Sequence, residues 1–319
     1  MLSRVADTLY WMSRYLERAE SISRFVEVNW HLHLEQSQNH LQEWGALISV
    51  TGDNEAFRKR YENYSRENVI SFLFFDTDYP HSVVSCLRAA RENARTVREI
   101  ISADMWEQIN SFYHFVEDTG KYPAAVHENP YEFCQSIQLR GMLINGLTND
   151  TMLHGEGWHF VRLGRYLERA DKTSRILDVK YFTLLPGANY VGTNYDDVQW
   201  AALLRATGGL EAYRQQCGRI FPSEVARFLM FDRLFARSVI RCLLVARESL
   251  HAISGSLIGE YRNKAEQRMG ALCSELSFTD IHAVFEHGLH EFTDQLQVKM
   301  NRVHDAVSET FFGYKNTEK

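Results

Sequence analysis

The hexapeptide Arg14-Tyr15-Leu16-Glu17-Arg18-Ala19 recurs as Arg165-Tyr166-Leu167-Glu168-Arg169-Ala170. Between residues 14–28 and 165–179, nine of fifteen positions are identical, where average composition gives about one match in sixteen by chance. Glu20 and Glu27 become Asp171 and Asp178, so charge is kept where identity is not. Further along, Trp44, Ala46, Leu47, Thr51 and Gly52 recur at 200, 202, 203, 207 and 208. The segment from Phe72 to Glu92 matches Phe228 to Glu248 at a constant offset of 156 residues, against 151 for the first match. The five-residue difference places an insertion between about 180 and 196. The period is far longer than that of a solenoid repeat, so each copy is a multi-helix half. The expected layout is a tandem duplication with a first half at 1–150 and a second at 151–319. No flexible linker separates them, so a shared core is expected.

The pattern is helical throughout. Residues 4–36 contain no Pro or Gly, and Leu9, Met12, Leu16, Ala19, Ile22 and Val26 form an apolar stripe at steps of three and four. One long helix follows, with Ser3 as its expected N-cap. Its copy runs from about 157 to 185, where Pro186-Gly187 stops it. Shorter helices are expected near 40–51, 65–76, 80–102, 104–119 and 130–144. In the second half the counterparts lie near 196–207, 222–232, 234–257, 259–273 and 278–312. Segments 145–157 and 186–197 read as loops. No stretch alternates with period two, so the fold class is all-α: a helical bundle of two halves with pseudo-twofold symmetry.

Composition removes several function classes. No run of eighteen apolar residues occurs, so no membrane helix is expected. The opening residues lack the apolar stretch of a signal peptide. Five cysteines without a Cys-x-x-Cys argue against a disulfide framework or a zinc site, which suggests a reduced, cytoplasmic setting. A net charge of −6 does not favour nucleic acid. No phosphate-binding glycine loop and no nucleophile motif is present. Glu156-x-x-His159, with His154 nearby, has the spacing of half a di-metal carboxylate site but lacks a second such pair. His282, Glu286 and His290, and Glu27 with His31, read as surface pairs rather than ligands. No metal is expected.

The duplicated charges are the informative chemistry. Glu17, Glu20, Arg24, Glu27 and His31, spaced 3, 4, 3 and 4, fall within about 80° of the helix circumference beside the apolar stripe. The second copy keeps Glu168, Asp171, Arg175 and Asp178; Arg14 and Arg165 precede each set. Two readings stand. Arginine binds carboxylates bidentately at helix crossings, which makes a buried ionic network. Alternatively, both helices border one cleft whose Arg14, Glu17, Arg18, Glu20, Arg24, Glu27, Arg165, Glu168, Asp171 and Arg175 hold an amino-acid or peptide-like ligand. A secondary set comprises Asp76, Arg91, Glu92, Asp232, Arg247 and Glu248. Arg88, Arg91, Arg95 and Arg98 form a stripe in the first half alone.

The opening Met1 to Glu20, together with the second Arg-Tyr-Leu-Glu-Arg-Ala, resembles the alpha-E domain family along the whole chain. In that bacterial, all-helical family the positions of Glu17, Arg18, Glu20 and Arg24 belong to the signature. The resemblance implies a setting beside, or fused to, circularly permuted ATP-grasp proteins, with transglutaminase-like peptidases in company. It therefore implies ATP-dependent amide-bond formation, with ATP and Mg²⁺ on the ligase and no cofactor in this chain. The expected role is a partner that docks the ligase and helps hold an amino-acid or peptide substrate. The alternatives are a stand-alone enzyme with Glu17 or Glu168 as general base, and a purely structural adaptor.

Overall fold

The computed structural model describes residues 1–34, 40–182 and 194–313. The Pro186-Gly187 stop and the expected loop up to residue 193 lie outside the described residues, and the last four residues of that loop, 194–197, are helical instead. Among the described residues the chain is all-helical, with a single isolated bridge between Ile258 and Glu260 and no strand.

The helices up to residue 151 are α1 (Ser3–Leu34), α2 (His40–Thr51), α3 (Asn54–Arg58), α4 (Arg66–Ile70), α5 (Val83–Thr96), α6 (Ala103–Gly120), α7 (Ala124–Glu128) and α8 (Tyr131–Thr151). Those that follow are α9 (Glu156–Phe182), α10 (Asn194–Ala206), α11 (Leu210–Cys217), α12 (Pro222–Phe231), α13 (Val239–Ser254), α14 (Lys264–Phe278), α15 (Ile281–His287) and α16 (Leu289–Val307). A π-helical turn, Ser71–Phe75, extends α4, and another, Ser308–Phe312, extends α16.

α1 and α9 pack along one another at the centre. α5 and α8 flank α1, and α6 lies on both of them; α13 and α16 flank α9, and α14 lies on those. The second helices cross over, so α2 packs on α9 and α10 packs on α1. One apolar cluster runs through all of this, from Ala6 and Leu9 on α1 to Val307 and Phe312. It is what the three-and-four spacing of the α1 stripe demands, because that stripe has no other place to leave water.

Four boundaries differ from the sequence expectation. Leu2, not Ser3, supplies the first free carbonyl of α1, to the amides of Val5 and Ala6. α8 continues through the expected loop to Thr151, because Ile144 and Thr148 extend its buried face. The helix expected over 278–312 breaks at Gly288, whose φ of +103° is accessible to glycine and strained for other residues. The short helices α3, α7 and α11 carry too few residues for periodicity to reveal them.

Gly164 fixes how close α1 and α9 come. A Cβ there would sit 2.4 Å from the Tyr10 carbonyl oxygen and 2.4 Å from Ser13 Oγ. Ser13 is the residue 151 positions before Gly164. The helices thus meet backbone to side chain at this crossing, with no room for a methyl group. Gly164→Ala should therefore destabilise the protein by roughly 1–3 kcal/mol, since the backbone neighbour cannot move aside alone. Gly146→Ala on α8, where a Cβ meets nothing within 4 Å, should be neutral or stabilising by up to ~1 kcal/mol. Urea denaturation of both variants checks this pair, and equal effects would contradict the close approach.

Candidate functional site

The duplicated charges lie in the seam between α1 and α9, out of water. Glu17 and Glu168 are 3% and 0% exposed. Burying a carboxylate costs several kcal/mol unless it is paired and fully hydrogen-bonded, and each has a bidentate guanidinium from the opposite helix. Arg169 gives Nε and Nη2 to the two oxygens of Glu17, both at 2.7 Å. Arg18 gives Nε and Nη2 to the two oxygens of Glu168 at 2.6 and 3.1 Å. Arg18 and Arg169 are 151 positions apart, as are Glu17 and Glu168, so the two pairs exchange matched residues.

The outer charges follow the same logic. Arg24 donates to Glu20 at 2.8 Å and to the Ala206 carbonyl at 2.6 Å, at the end of α10. Arg175 donates to Asp171 at 3.1 Å and to the Val50 carbonyl at 3.1 Å, at the end of α2. Each arginine thus completes an orphan carbonyl at a helix C-terminus, where its charge also meets the favourable end of the dipole. Glu27 accepts from Gln135 and Gln138 of α8 at 2.7 and 2.5 Å. Asp178 accepts from Thr293, Gln297 and His290 of α16. These two acids tie the long helices to α8 and α16.

The two sides of the seam then diverge. On one side Arg237, just before α13, reaches in: its Nη1 lies 3.1 Å from Glu17, and it also donates to Glu20. The matched residue before α5 is His81. Both stand ahead of a capping serine. Ser82 caps α5 and donates to the Asp76 carbonyl, and Ser238 does the same with α13 and Asp232. His81 is too short to reach the acids. Its Nδ1 instead accepts from Arg18 at 2.9 Å, which fixes a neutral ring protonated on Nε2. Burial and the Arg18 charge push its pKa down in agreement. The cation between Glu168 and Asp171 comes from α9 itself: Lys172 Nζ lies 3.4 and 2.7 Å from them, where the matched residue on α1 is Ser21.

A cleft of about 210 Å³ opens beside His81. It is lined by Arg14, Arg18, Lys172 and Arg175 on its basic side and by Asp53 and Asp171 on its acidic side, with Tyr79, Phe25 and Asn301 among the remaining walls. Tyr79 donates its hydroxyl to Asp53. Glu168 lies behind the cleft and is shared by three cations: Arg14 at 2.7 Å, Arg18 and Lys172. Asp171 Oδ1 is buried with no hydrogen-bond partner among the described residues. Arg14 also donates to the Tyr10 hydroxyl, which donates to His304 Nδ1 at 2.9 Å, the two rings lying stacked. Burial and Arg14 push His304 down to about 3, so this chain of bonds ends on a neutral imidazole.

Of the residues that sequence reasoning marked as ligand contacts, Arg14, Arg18, Asp171 and Arg175 line this cleft. Glu17, Glu20, Arg24, Glu27 and Arg165 sit elsewhere along the seam, and Glu168 sits behind it. Arg165, matched to Arg14, binds Asn145 and Thr148 rather than an acid; burial and Arg169 push it to about 10, still charged at neutral pH. The secondary set is spread over the periphery. Asp76 and Asp232 close the turns before α5 and α13. Arg91 bonds Asn110 and Glu92, and Glu248 takes Arg162. Arg247 is not among the cleft residues. Arg95 pairs with Glu92 and Arg98 lies over Trp106, so the arginine stripe is a partnered surface. His154 stacks on Trp158 and donates to the Asn149 carbonyl. Among the described residues no three His, Cys, Asp or Glu side chains converge as metal ligands, and no helix is long and apolar enough to cross a membrane. Burial pushes the Cys86 and Cys242 thiols to about 12, so both are inert apolar fillers. His81, Lys172, Tyr79, Asp53 and Arg237 escaped sequence reasoning. Their signal, at Ser21/Lys172 and His81/Arg237, was a difference between the halves rather than an identity.

The network makes stability depend on acid pH. Burial raises Glu20, but Arg237, Arg24 and Arg169 outweigh it and hold the carboxyl at about 2. Glu168 is likewise held well below the usual range by Arg18, Arg14 and Lys172 against burial, and Asp171 by Arg175 and Lys172. Acids with depressed folded pKa values contribute stability that is present above the unfolded values, about 4, and lost as pH falls through the folded ones. Asp178, raised by burial, acts with the opposite sign. The melting temperature should therefore fall steeply from about pH 4 toward 2, and Glu168→Gln should flatten that limb while lowering stability at neutral pH. A melting temperature that holds steady down to pH 2 would contradict the network.

The comparisons with known proteins fit this geometry. Residues 1–312 match the model of the Alpha-E family, described as a predicted alpha-helical domain with a conserved ER motif. The dipeptide Glu-Arg occurs twice in the chain, as Glu17-Arg18 and Glu168-Arg169, the four residues of the exchanged pairs. Uncharacterized proteins of Mycobacterium bovis and Mycobacterium tuberculosis are 26% identical over 272 residues, which is 79% of this chain. The match spans only 30% of the length of those relatives. No solved structure matches the chain. With its Glu-Arg pairs at the centre of an all-helical fold, the chain belongs to the Alpha-E family.

Proposed function

We propose that the protein is a ligand-holding helical partner of an ATP-grasp-type amide ligase, and that its cleft receives an amino-acid or peptide substrate. The observation that carries this reading is the charge of the cleft. Four cations, Arg14, Arg18, Lys172 and Arg175, line a hollow where Glu168 and Asp171 are already shared among them and Asp53 bonds the Tyr79 hydroxyl. A concave surface with unspent guanidinium and ammonium capacity favours a carboxylate. ATP and Mg²⁺ belong to the ligase on this reading, and a transglutaminase-like protease is a second candidate partner. The length of the relatives, more than three times the matched segment, supports a module that works alongside other domains. The placement is cytoplasmic on this account.

The same reading treats the chain as one domain built from two duplicated eight-helix halves, related by a local twofold axis near Ser13 and Gly164. A stand-alone enzyme using Glu17 or Glu168 as base is less well supported. Glu17 accepts from Arg169 and Arg237, and Glu168 is held well below the range in which it would take a proton at neutral pH.

Affinity capture of the tagged protein from its native host, followed by mass spectrometry, tests the partnership. An ATP-grasp protein should be recovered at near-equal stoichiometry, and its rate of amide formation should rise when this chain is added. Recovery of the chain alone, with no effect on such a ligase, would overturn the proposal.

A further inference from the structure

Charge arithmetic and the contrast between the two sides of the seam specify the ligand more closely. The cleft and the carboxylate behind it carry four positive groups, Arg14, Arg18, Lys172 and Arg175, and three negative ones, Asp53, Asp171 and Glu168. His81 is neutral. The sum is one unmatched positive charge in the wall of the cleft, and a charge partly withdrawn from water is stabilised by pairing. Yet acceptors are present too: among the described residues Asp171 keeps one buried oxygen without a hydrogen-bond partner, and the Asp53 carboxylate takes the Tyr79 hydroxyl alone. A simple anion would satisfy the cations and leave these oxygens facing it. A ligand with carboxylates and an ammonium group answers both.

Size narrows the class. The cleft is small, about 210 Å³. That suits a free amino acid and falls short of the roughly 300–1,000 Å³ that drug-sized ligands fill. We propose that the cleft is a binding site for one free acidic α-amino acid, such as glutamate or aspartate, whose net charge of −1 cancels the surplus. The proposal rests on reading the seam as a substrate-holding site, and it names the substrate.

Among the described residues, the pairing of His81 with Lys172 occurs on one side of the seam. On the other side of the seam Arg237 fills the matched space and pairs with Glu17 and Glu20, and Ser21 stands where Lys172 stands here. His81 and Lys172 are therefore the two residues that convert a sealed ionic lock into an open cleft. Substituting both His81→Arg and Lys172→Ser rebuilds the sealed side from residues the fold already accommodates. It is thus a variant expected to fold and to lose the site.

Isothermal titration of the purified full chain with L-glutamate, L-aspartate, succinate and inorganic phosphate tests this without any ligase. One equivalent of glutamate or aspartate should bind, with succinate and phosphate weaker. Lys172→Gln should weaken that binding roughly ten- to hundredfold, the value of a charge-assisted hydrogen bond. The double variant His81→Arg/Lys172→Ser should show no binding at an unchanged melting temperature. Succinate or phosphate binding as tightly as glutamate would overturn the amino-acid class. Binding untouched by Lys172→Gln, or no binding by any of the four, would overturn the site. If the double variant does not fold, Lys172→Gln alone decides. Capture of a ligase with no amino-acid binding would leave the partnership standing and remove this inference. Binding without capture would do the reverse.

Discussion

The structure depends on two carboxylates held out of water between two helices. Glu17 and Glu168 each lose hydration worth several kcal/mol, and each is compensated first by an arginine of the opposite helix that arrives in bidentate register. Such a lock tolerates little error. A helix shifted by one residue would turn both acids away from both guanidinium groups, which is why the close approach at Gly164 matters: it sets the separation at which the forks meet. The apolar stripe of α1 brings the helices together, and the ion pairs fix their register. The remaining helices follow from those two. α2 and α10 end on Arg175 and Arg24, while α8 and α16 are tied by Glu27 and Asp178.

A lock of this kind is self-sufficient where its charges balance and open to a ligand where they do not. On the Arg237 side a third arginine closes the gap between Glu17 and Glu20. On the His81 side a lysine from α9 does the electrostatic part of that work but leaves the volume empty. The candidate site therefore lies where the two matched segments differ in sequence, against the packed seam of α1 and α9. Backbone carbonyls, helix ends and buried acids hold its cations in place, so a ligand meets groups already oriented and loses less free energy in ordering them.

The helical class and the long central helices were legible because periodicity acts over many residues. The charged face was legible as a set, and its burial was not. Spacing places Glu17, Glu20 and Arg24 on one face but is silent on whether water or a second helix covers it. Breaks such as Gly288, and the run of α8 through Thr151, depend on local backbone freedom and on tertiary cover, which no short window reveals. The cleft was hidden for a different reason. Reasoning from shared residues and shared charge singled out Arg14, Arg18, Asp171 and Arg175, while the residues that open the space, His81 and Lys172, are places where the two matched segments disagree. Asp76 and Asp232 show the converse: retained in both halves, they close turns and do not reach the cleft.

The most direct measurement is a double-mutant cycle across the seam, with Glu17→Gln, Arg169→Gln and the pair combined, each followed by urea denaturation. Either single change strips a buried charge of its bidentate partner, Glu17 keeping Arg237 alone at 3.1 Å, and should cost up to about 3–5 kcal/mol. The double change should cost clearly less than the sum, with a coupling within the roughly 0.5–3 kcal/mol range measured for contacting residues. Additive effects, or single losses no larger than the ~1 kcal/mol of an exposed ion pair, would mean that the exchanged Glu-Arg pairs do not hold the two helices together.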